Sequence, residues 1–414
     1  VSEPAPTHPV LPVNPVLGDG RTTLRRLRVD DAVAFAALNR DPLNVTWTGS
    51  QADMSVRQAA LMITGSIDSG WETGHYLRFA ITEKLDGVDT LVGTLSLQEV
   101  FSTAGGGSAS VGIKMLPSGR GTGCAPRAIT LLCGFAFGNL GLEILHWRTT
   151  SGNEASSELA RRTGFVHAAR IPGYGRLAGR VADGELFYQG REQFQNDAAP
   201  APEEPATLEP ELPELPELLG RVAAAPILGA GTILLRPLTM ADAPQLVENC
   251  RDAEAVRWTT VPLEYSMADA EHFINTLVPE GWQSGETLTF AAVDPVSDAL
   301  LGVVDLQCKV PGVASVGINF GPHARGTGAA QAAVALLLDY AFDQLNLAYL
   351  HWHVLAPNWA SRKLAWKLGF HFDGQIRGDY CDRGTPKDRW VLSLAAADER
   401  SPQEPWTGPD AINR

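Results

Sequence analysis

The chain has 414 residues, 44% of them hydrophobic and 19% charged, and a net charge of −14. That length exceeds what one hydrophobic core usually holds, so two domains are expected, and no apolar run reaches the length needed to span a bilayer. The acidic balance disfavours nucleic acid and anionic membrane as partners, because a phosphate field repels it, and is compatible with a cationic substrate or with solubility alone.

In chain order, the proline-rich stretch 1–20 reads as an extended tail and lacks the charged and apolar regions of a signal peptide. Thr22–Arg28 is expected to be a strand, and Asp30–Asn39 a helix opened by an acidic cap. Ser55–Ser69 is a second helix, capped by Ser55. Tyr76–Thr82, Leu91–Val100 and Ser108–Met115 read as strands from their alternation and β-branched content, the last stopped before Pro117. Gly121–Leu140 is a long helix, with Ile129, Leu132, Ala136 and Leu140 at helical spacing. Glu143–Thr150 is a strand, Glu154–Thr163 a short helix closed by Gly164, and a strand pair completes a first domain over 21–195. Residues 196–229 carry Pro-Glu repeats that read as a semi-rigid linker. The same element order then recurs over 230–397, before a polar tail over 398–414. The five cysteines, Cys124, Cys133, Cys250, Cys308 and Cys381, show neither C-x-x-C nor Cys/His spacing. They imply reduced thiols in a cytoplasmic protein, and no metal.

The recurrence is visible residue by residue. Ala109-Ser110-Val111-Gly112-Ile113 returns as Ala314-Ser315-Val316-Gly317-Ile318, Arg120-Gly121-Thr122-Gly123 as Arg325-Gly326-Thr327-Gly328, and Leu145-His146-Trp147 as Leu350-His351-Trp352. Asn153-x-Ala155-Ser156 and Gly164-Phe165 return as Asn358-x-Ala360-Ser361 and Gly369-Phe370, all 205 residues on. Upstream, Trp47-Thr48 parallels Trp258-Thr259 at an offset of 211. One shared offset across several islands marks a tandem duplication.

The segment Arg120-Gly121-Thr122-Gly123-Cys124-Ala125 joins a strand to a helix, as does Arg325-Gly326-Thr327-Gly328-Ala329-Ala330. Unpaired amides at a helix start, approached closely through glycines, suit a diphosphate. This spacing, with the downstream Asn-x-x-Ser and Gly-Phe, resembles the acyl-CoA loop of the GNAT acetyltransferases of the RimJ/RimL type. The resemblance covers roughly 20–195 and 230–396. It implies an α/β (α+β) GNAT fold in two copies, each a mixed, mostly antiparallel sheet with helices on both faces. It also implies acetyl-CoA, or another short acyl-CoA, as co-substrate. The thioester carbonyl would be held by backbone amides near Ile113–Met115 and Ile318–Phe320. Asn153 and Asn358 would contact the coenzyme, and Ser156 and Ser361 would protonate the departing thiolate. The same asparagines also read as simple helix caps. Cys124, whose counterpart is Ala329, reads as a small packing residue.

Candidates for the base that deprotonates the amine are Glu99, Asp305 and His353. None is shared between copies: Glu99 aligns with Cys308, Asp305 with Ser96, and His353 with Arg148. Trp47 and Trp258 are expected to pack or to line the acceptor side. The leading expectation is acyl transfer to a primary amine, either of a small molecule or of a protein N-terminus. The alternatives are an acyl-CoA-binding sensor or scaffold, or one active and one degenerate domain. The two domains are also expected to be capable of packing as an intramolecular pseudo-dimer.

Overall fold

The structure is a computed structural model and describes residues 14–85, 87–103, 106–196, 225–382 and 385–409. Most of the expected linker and the first thirteen residues lie outside that set. The chain divides into two compact units, and the distal part of the last hairpin, Gln375–Arg389, groups with the first.

The first unit begins with β1 (Leu17–Gly18) and β2 (Thr22–Arg26), followed by α1 (Ala32–Arg40), α2 (Pro42–Thr48), α3 (Val56–Met62) and α4 (Asp68–Thr73). Next come β3 (Tyr76–Leu85), β4 (Val88–Thr103), β5 (Gly106–Met115), α5 (Cys124–Gly134), β6 (Ile144–Thr150) and α6 (Glu154–Arg162). The hairpin β7 (Val166–Leu177) and β8 (Arg180–Gly190) and α7 (Arg191–Asn196) complete it. Its eight strands lie in the order β1-β2-β3-β4-β5-β6-β8-β7. The β5–β6 pairing is parallel, because α5 carries the chain across, and the pairings of β2 to β3, β3 to β4, β4 to β5 and β6 to β8 are antiparallel.

The second unit repeats the plan. It has β9 (Leu228–Ala230), β10 (Ile233–Arg236), α8 (Ala243–Arg251), α9 (Ala253–Trp258), α10 (Met267–His272), α11 (Val278–Ser284), β11 (Thr287–Val293) and β12 (Leu300–Val310). It continues with β13 (Val313–Phe320), α12 (Ala329–Asp339), β14 (Tyr349–Leu355), α13 (Trp359–Lys367), β15 (His371–Asp382) and β16 (Thr385–Ala395). The sheet order is β15-β16-β14-β13-β12-β11-β10-β9, again with one parallel step, β13 to β14, among the pairings described.

Helices cover both faces of each sheet. Phe79 of β3 packs edge-on against Phe135 after α5, while Lys114 of β5 reaches Asn39 of α1 from the opposite face. The second unit copies the first contact as Phe290 against Tyr340. Alternation along the strands therefore divides one apolar face from one that carries polar groups. Trp147 and Trp352 are buried on the apolar side against Phe165 and Phe370.

Several boundaries differ from expectation. Leu17–Gly18 pairs with Leu24–Thr23 inside the segment read as a tail. The expected linker ends early, since Leu228 and Gly229 already belong to β9. The C-terminal tail packs through Trp406 against Trp359 and Trp366 of α13. The sequence reading omitted α2, although Asp41-Pro42 announces it: the Asp41 carboxylate caps Asn44 and proline occupies the first turn. The long helix is two pieces, α5 and a π-helical turn over Phe135–Asn139.

Candidate active site

The parallel strands pair only at their beginnings. β5 is registered with β6 from Ser108 opposite Ile144 to Val111 opposite Trp147, then runs on to Met115 along β4 alone. β13 leaves β14 after Ser315 opposite His351 and continues along β12 to Phe320. A V-shaped opening results, one edge of which is backbone without a ladder neighbour on that side. Ile113 and Met115, and Ile318 and Phe320, lie on these diverging stretches.

Each diverging strand passes through a short 3₁₀ turn, Pro117–Gly119 or Pro322–Ala324, into the glycine loop. Gly121 and Gly123 hold φ of +71° and +75°, and Gly326 and Gly328 hold +74° and +90°. These left-handed values keep the loop out of the helix, so the helices start at Cys124 and Ala329 instead of at the first glycine. A Cβ placed on Gly121, Gly326 or Gly328 would meet nothing within 4 Å. The loops thus face open space at the N-termini of two eleven-residue helices, with Ala125 and Ala330 in the first turn. That is the geometry of an anion cradle.

The side chains of the loop have other work. Arg120 is ion-paired with Asp41, the cap of α2, and donates to the Met115 carbonyl at 2.8 Å. Arg325 repeats this with Asp252, the cap of α9, and with the Phe320 carbonyl at 3.4 Å. Burial opposes the Asp41 charge, yet Arg120 and two backbone amides hold that carboxyl below the usual range. These contacts fasten each loop to the helix beside it. Thr122 donates to the Gly119 carbonyl at 3.0 Å and accepts from the Cys124 amide at 3.3 Å, and Thr327 braces its loop in the same way. Cys124 is fully buried and burial raises its thiol, as suits a packing residue. Near the first loop, Arg21 donates to the Thr122 carbonyl and Arg127 lies beside Gly123, two cations that the sequence reading did not single out.

Downstream, Asn153 accepts from the Ser156 amide at 3.2 Å and Asn358 from the Ser361 amide at 3.1 Å. Both asparagines are helix caps. Their serine hydroxyls are held by buried tryptophans: Trp147 Nε1 donates to Ser156 Oγ at 3.0 Å, and Trp352 Nε1 to Ser361 Oγ at 3.1 Å. Indole has a donor and no acceptor, so the serine oxygen is fixed while its own proton stays available to another group.

The base candidates occupy the polar face. In the second unit Asp305 stands opposite Gly317, and a Cβ on that glycine would collide with the carboxylate. Asp305 therefore leans over the diverging strand. Burial pushes its carboxyl up to about 6, against the opposing hydrogen bond from Gln307 at 3.1 Å. The Cys308 thiol is pushed up to about 11 by burial and by the Asp305 charge. His353 Nδ1 lies 3.4 Å from Ser315 Oγ on the same face. In the first unit Ser96 replaces Asp305 and receives the equivalent hydrogen bond, from Gln98, at 3.0 Å. Glu99, at a bulge with φ of +52°, is 63% exposed and pairs with Arg148 at 3.3 Å. Glu99 is thus an outer ion-pair partner, whereas Asp305 sits beside the opening.

The profile of the acetyltransferase (GNAT) domain family matches residues 21–166 and again 232–371. The chain belongs to the GNAT acetyltransferase family, twice over. It is an N-acetyltransferase, with an eight-stranded mixed sheet in each copy. Among curated relatives, the probable N-acetyltransferase YjcK of Bacillus subtilis (strain 168) is 27% identical over 179 residues, 42% of this chain and 99% of its own. The N-acetyltransferase p20 of Bacillus licheniformis is 26% identical over 164 residues, 39% of this chain and 92% of its own. Among solved structures, RimJ of Mycobacterium smegmatis in complex with CoA-disulfide is 24% identical, covering 47% of this chain and 93% of that one, with a TM-score of 0.40. Each relative therefore corresponds to about one half of this tandem GNAT protein. Among the described residues no helix is long and apolar enough to cross a membrane, and no cluster of three His, Cys, Asp or Glu could hold a metal ion.

Proposed function

We propose that this GNAT protein transfers acetyl from acetyl-CoA to a primary amine, of a small molecule or a protein N-terminus, and that its second unit carries the chemistry. The observation behind this reading is the Asp305 carboxylate, poised over Gly317 where β13 leaves β14. In the proposed reaction the diphosphate rests on the amides of Gly326–Ala330. The thioester carbonyl lies along Ile318–Phe320, whose amides stabilise the oxyanion. Asp305 takes the ammonium proton, and a carboxyl titrating at about 6 is largely ionised at neutral pH yet more basic than an exposed one. The free amine attacks the acetyl carbon, the C–S bond breaks, and Ser361, its oxygen fixed by Trp352, gives its proton to the thiolate and takes up the proton that the newly acylated nitrogen sheds. Asn358 supports the step by capping α13 and so placing Ser361.

In the first unit, the loop Gly121–Ala125 and the stretch Ile113–Met115 repeat the coenzyme-binding parts, while Ser96 supplies no charge at the base position. This asymmetry favours one catalytic and one binding unit. The test is thiol release from acetyl-CoA across a panel of polyamines, amino acids and N-terminal peptides, with coenzyme binding measured alongside. Coenzyme binding with no turnover on any amine would replace the catalytic reading with that of a sensor. No coenzyme binding at all would remove both.

A further inference from the structure

The polar face of the first unit holds two cations with no acidic partner. Arg78 of β3 stands opposite Ser96 of β4, and Ser96 stands opposite Gly112 of β5. Lys114, two residues beyond Gly112, shares that face. Its ammonium donates to Asn39 Oδ1 at 3.2 Å and Ser50 Oγ at 2.5 Å, both neutral. Arg78 lies over the rings of Phe35 and Tyr76 and hydrogen-bonds to the Tyr76 hydroxyl, a partner that is neutral at pH 7. Among the described residues neither cation takes part in an ion pair. The nearby carboxylates are spent elsewhere, Asp31 on Arg25 at 2.7 Å and Asp41 on Arg120. Burial, together with the charge of Arg78, pulls the Lys114 ammonium down to about 8, and burial also lowers Arg78, so each cation stands in surroundings that disfavour its charge. Two like charges on one sheet face with neutral partners are costly unless an anion joins them. The loop 48–53 that carries Ser50 is largely exposed.

The second unit shows that the fold does not require this arrangement. Thr289 stands where Arg78 does and Asn319 where Lys114 does, and Asp305 replaces Ser96. The same framework therefore carries two positive charges in one copy and one negative charge in the other.

We infer that the polar face of the first unit is a binding site for a small carboxylate, held between the Arg78 guanidinium and the Lys114 ammonium. A guanidinium can receive a carboxylate through two parallel hydrogen bonds, and a lysine on the other side completes the charge balance. This inference does not depend on acetyl transfer.

The experiment is calorimetric titration of the full chain with succinate and, as a neutral control, succinamide. Succinate is expected to bind and succinamide not. Lys114→Met and Arg78→Met should each weaken succinate binding at least about tenfold, while Asp305→Asn leaves it unchanged. A second measurement needs no variant to stay folded: by carbon-13 NMR of lysine side chains, succinate should raise the Lys114 titration midpoint. Equal affinity for succinate and succinamide, or undiminished succinate binding in both Met variants, or a Lys114 midpoint unmoved by succinate, would each overturn the assignment. Succinate binding without turnover on any amine would leave the site standing while the catalytic reading fails.

Discussion

The two units place different charges on one scaffold. Both have the diverging parallel strands, the left-handed glycines, the Arg–Asp latch and the Trp–Ser pair. In the proposed reading these parts shape the coenzyme site. Beside the opening, however, Asp305 holds in the second unit the position that Ser96 holds in the first, and Arg78 and Lys114 are replaced by Thr289 and Asn319. The lesson is that duplication kept the residues that fix backbone geometry and released the polar ones beside the opening. Sheet registry, loop dihedrals and helix caps depend on backbone shape and tolerate little change. A polar side chain on a half-open face can change charge at small cost in packing.

The comparison breaks or sharpens under substitution. The largest expected effect is that of Asp305→Asn, which should lower kcat by about 10²–10³-fold with little change in the KM for acetyl-CoA. Ser96→Ala, at the matching position, should leave the rate nearly unchanged. The reverse result in a steady-state thiol-release assay would move the chemistry to the first unit. Next in size, Ser361→Ala should cost about 10²-fold in kcat and Ser156→Ala far less. The pH profile sharpens the same point. A base must be ionised to act, so log kcat should rise with unit slope below pH 6 and level off above it, the inflection following the Asp305 carboxyl at about 6.

A smaller effect concerns the loops. Gly326→Val places a β-branched residue at φ of +74°, which costs about 1–2 kcal/mol or more. It should weaken coenzyme binding to the second unit about tenfold, leaving one tight site per chain by calorimetry if the first unit also binds.

The smallest effect is on stability. The Asp305 carboxyl is raised in the folded state, so between about pH 4 and pH 6 the folded protein binds more protons than the unfolded one and stability falls as pH rises. Asp305→Asn should therefore stabilise the second unit by about 1–2 kcal/mol above pH 6, a gain that vanishes toward pH 4 in thermal melts. A stability difference independent of pH would show that the carboxyl titrates normally.

Much of the candidate site was legible because the repeat made it so. The shared offset located the loops, the Asn-x-x-Ser segments and the strand before each loop, one set in each unit. The carboxylates that pair with Arg120 and Arg325 were not legible beside the loops. The partner that claims each one, Asp41 or Asp252, lies more than seventy residues earlier. The role of Trp147 and Trp352 was hidden for the same reason: nothing in a strand tryptophan shows that its indole reaches a helix nine residues on. Glu99, Asp305 and His353 were equal candidates in the sequence. They separated only when the bulge turned Glu99 outward to Arg148 and the sheet set Asp305 over Gly317.

The sequence by itself determined that two homologous α/β units exist, where each strand gives way to its helix, and that the turn between them needs glycine. Those properties follow from local dihedral preference and periodicity, which are written along the chain. Tertiary structure alone decided which charges meet, which arginines are already paired, and which carboxylate is buried enough to titrate at about 6. Such outcomes depend on distance and desolvation between residues far apart in the chain, and no local pattern encodes them.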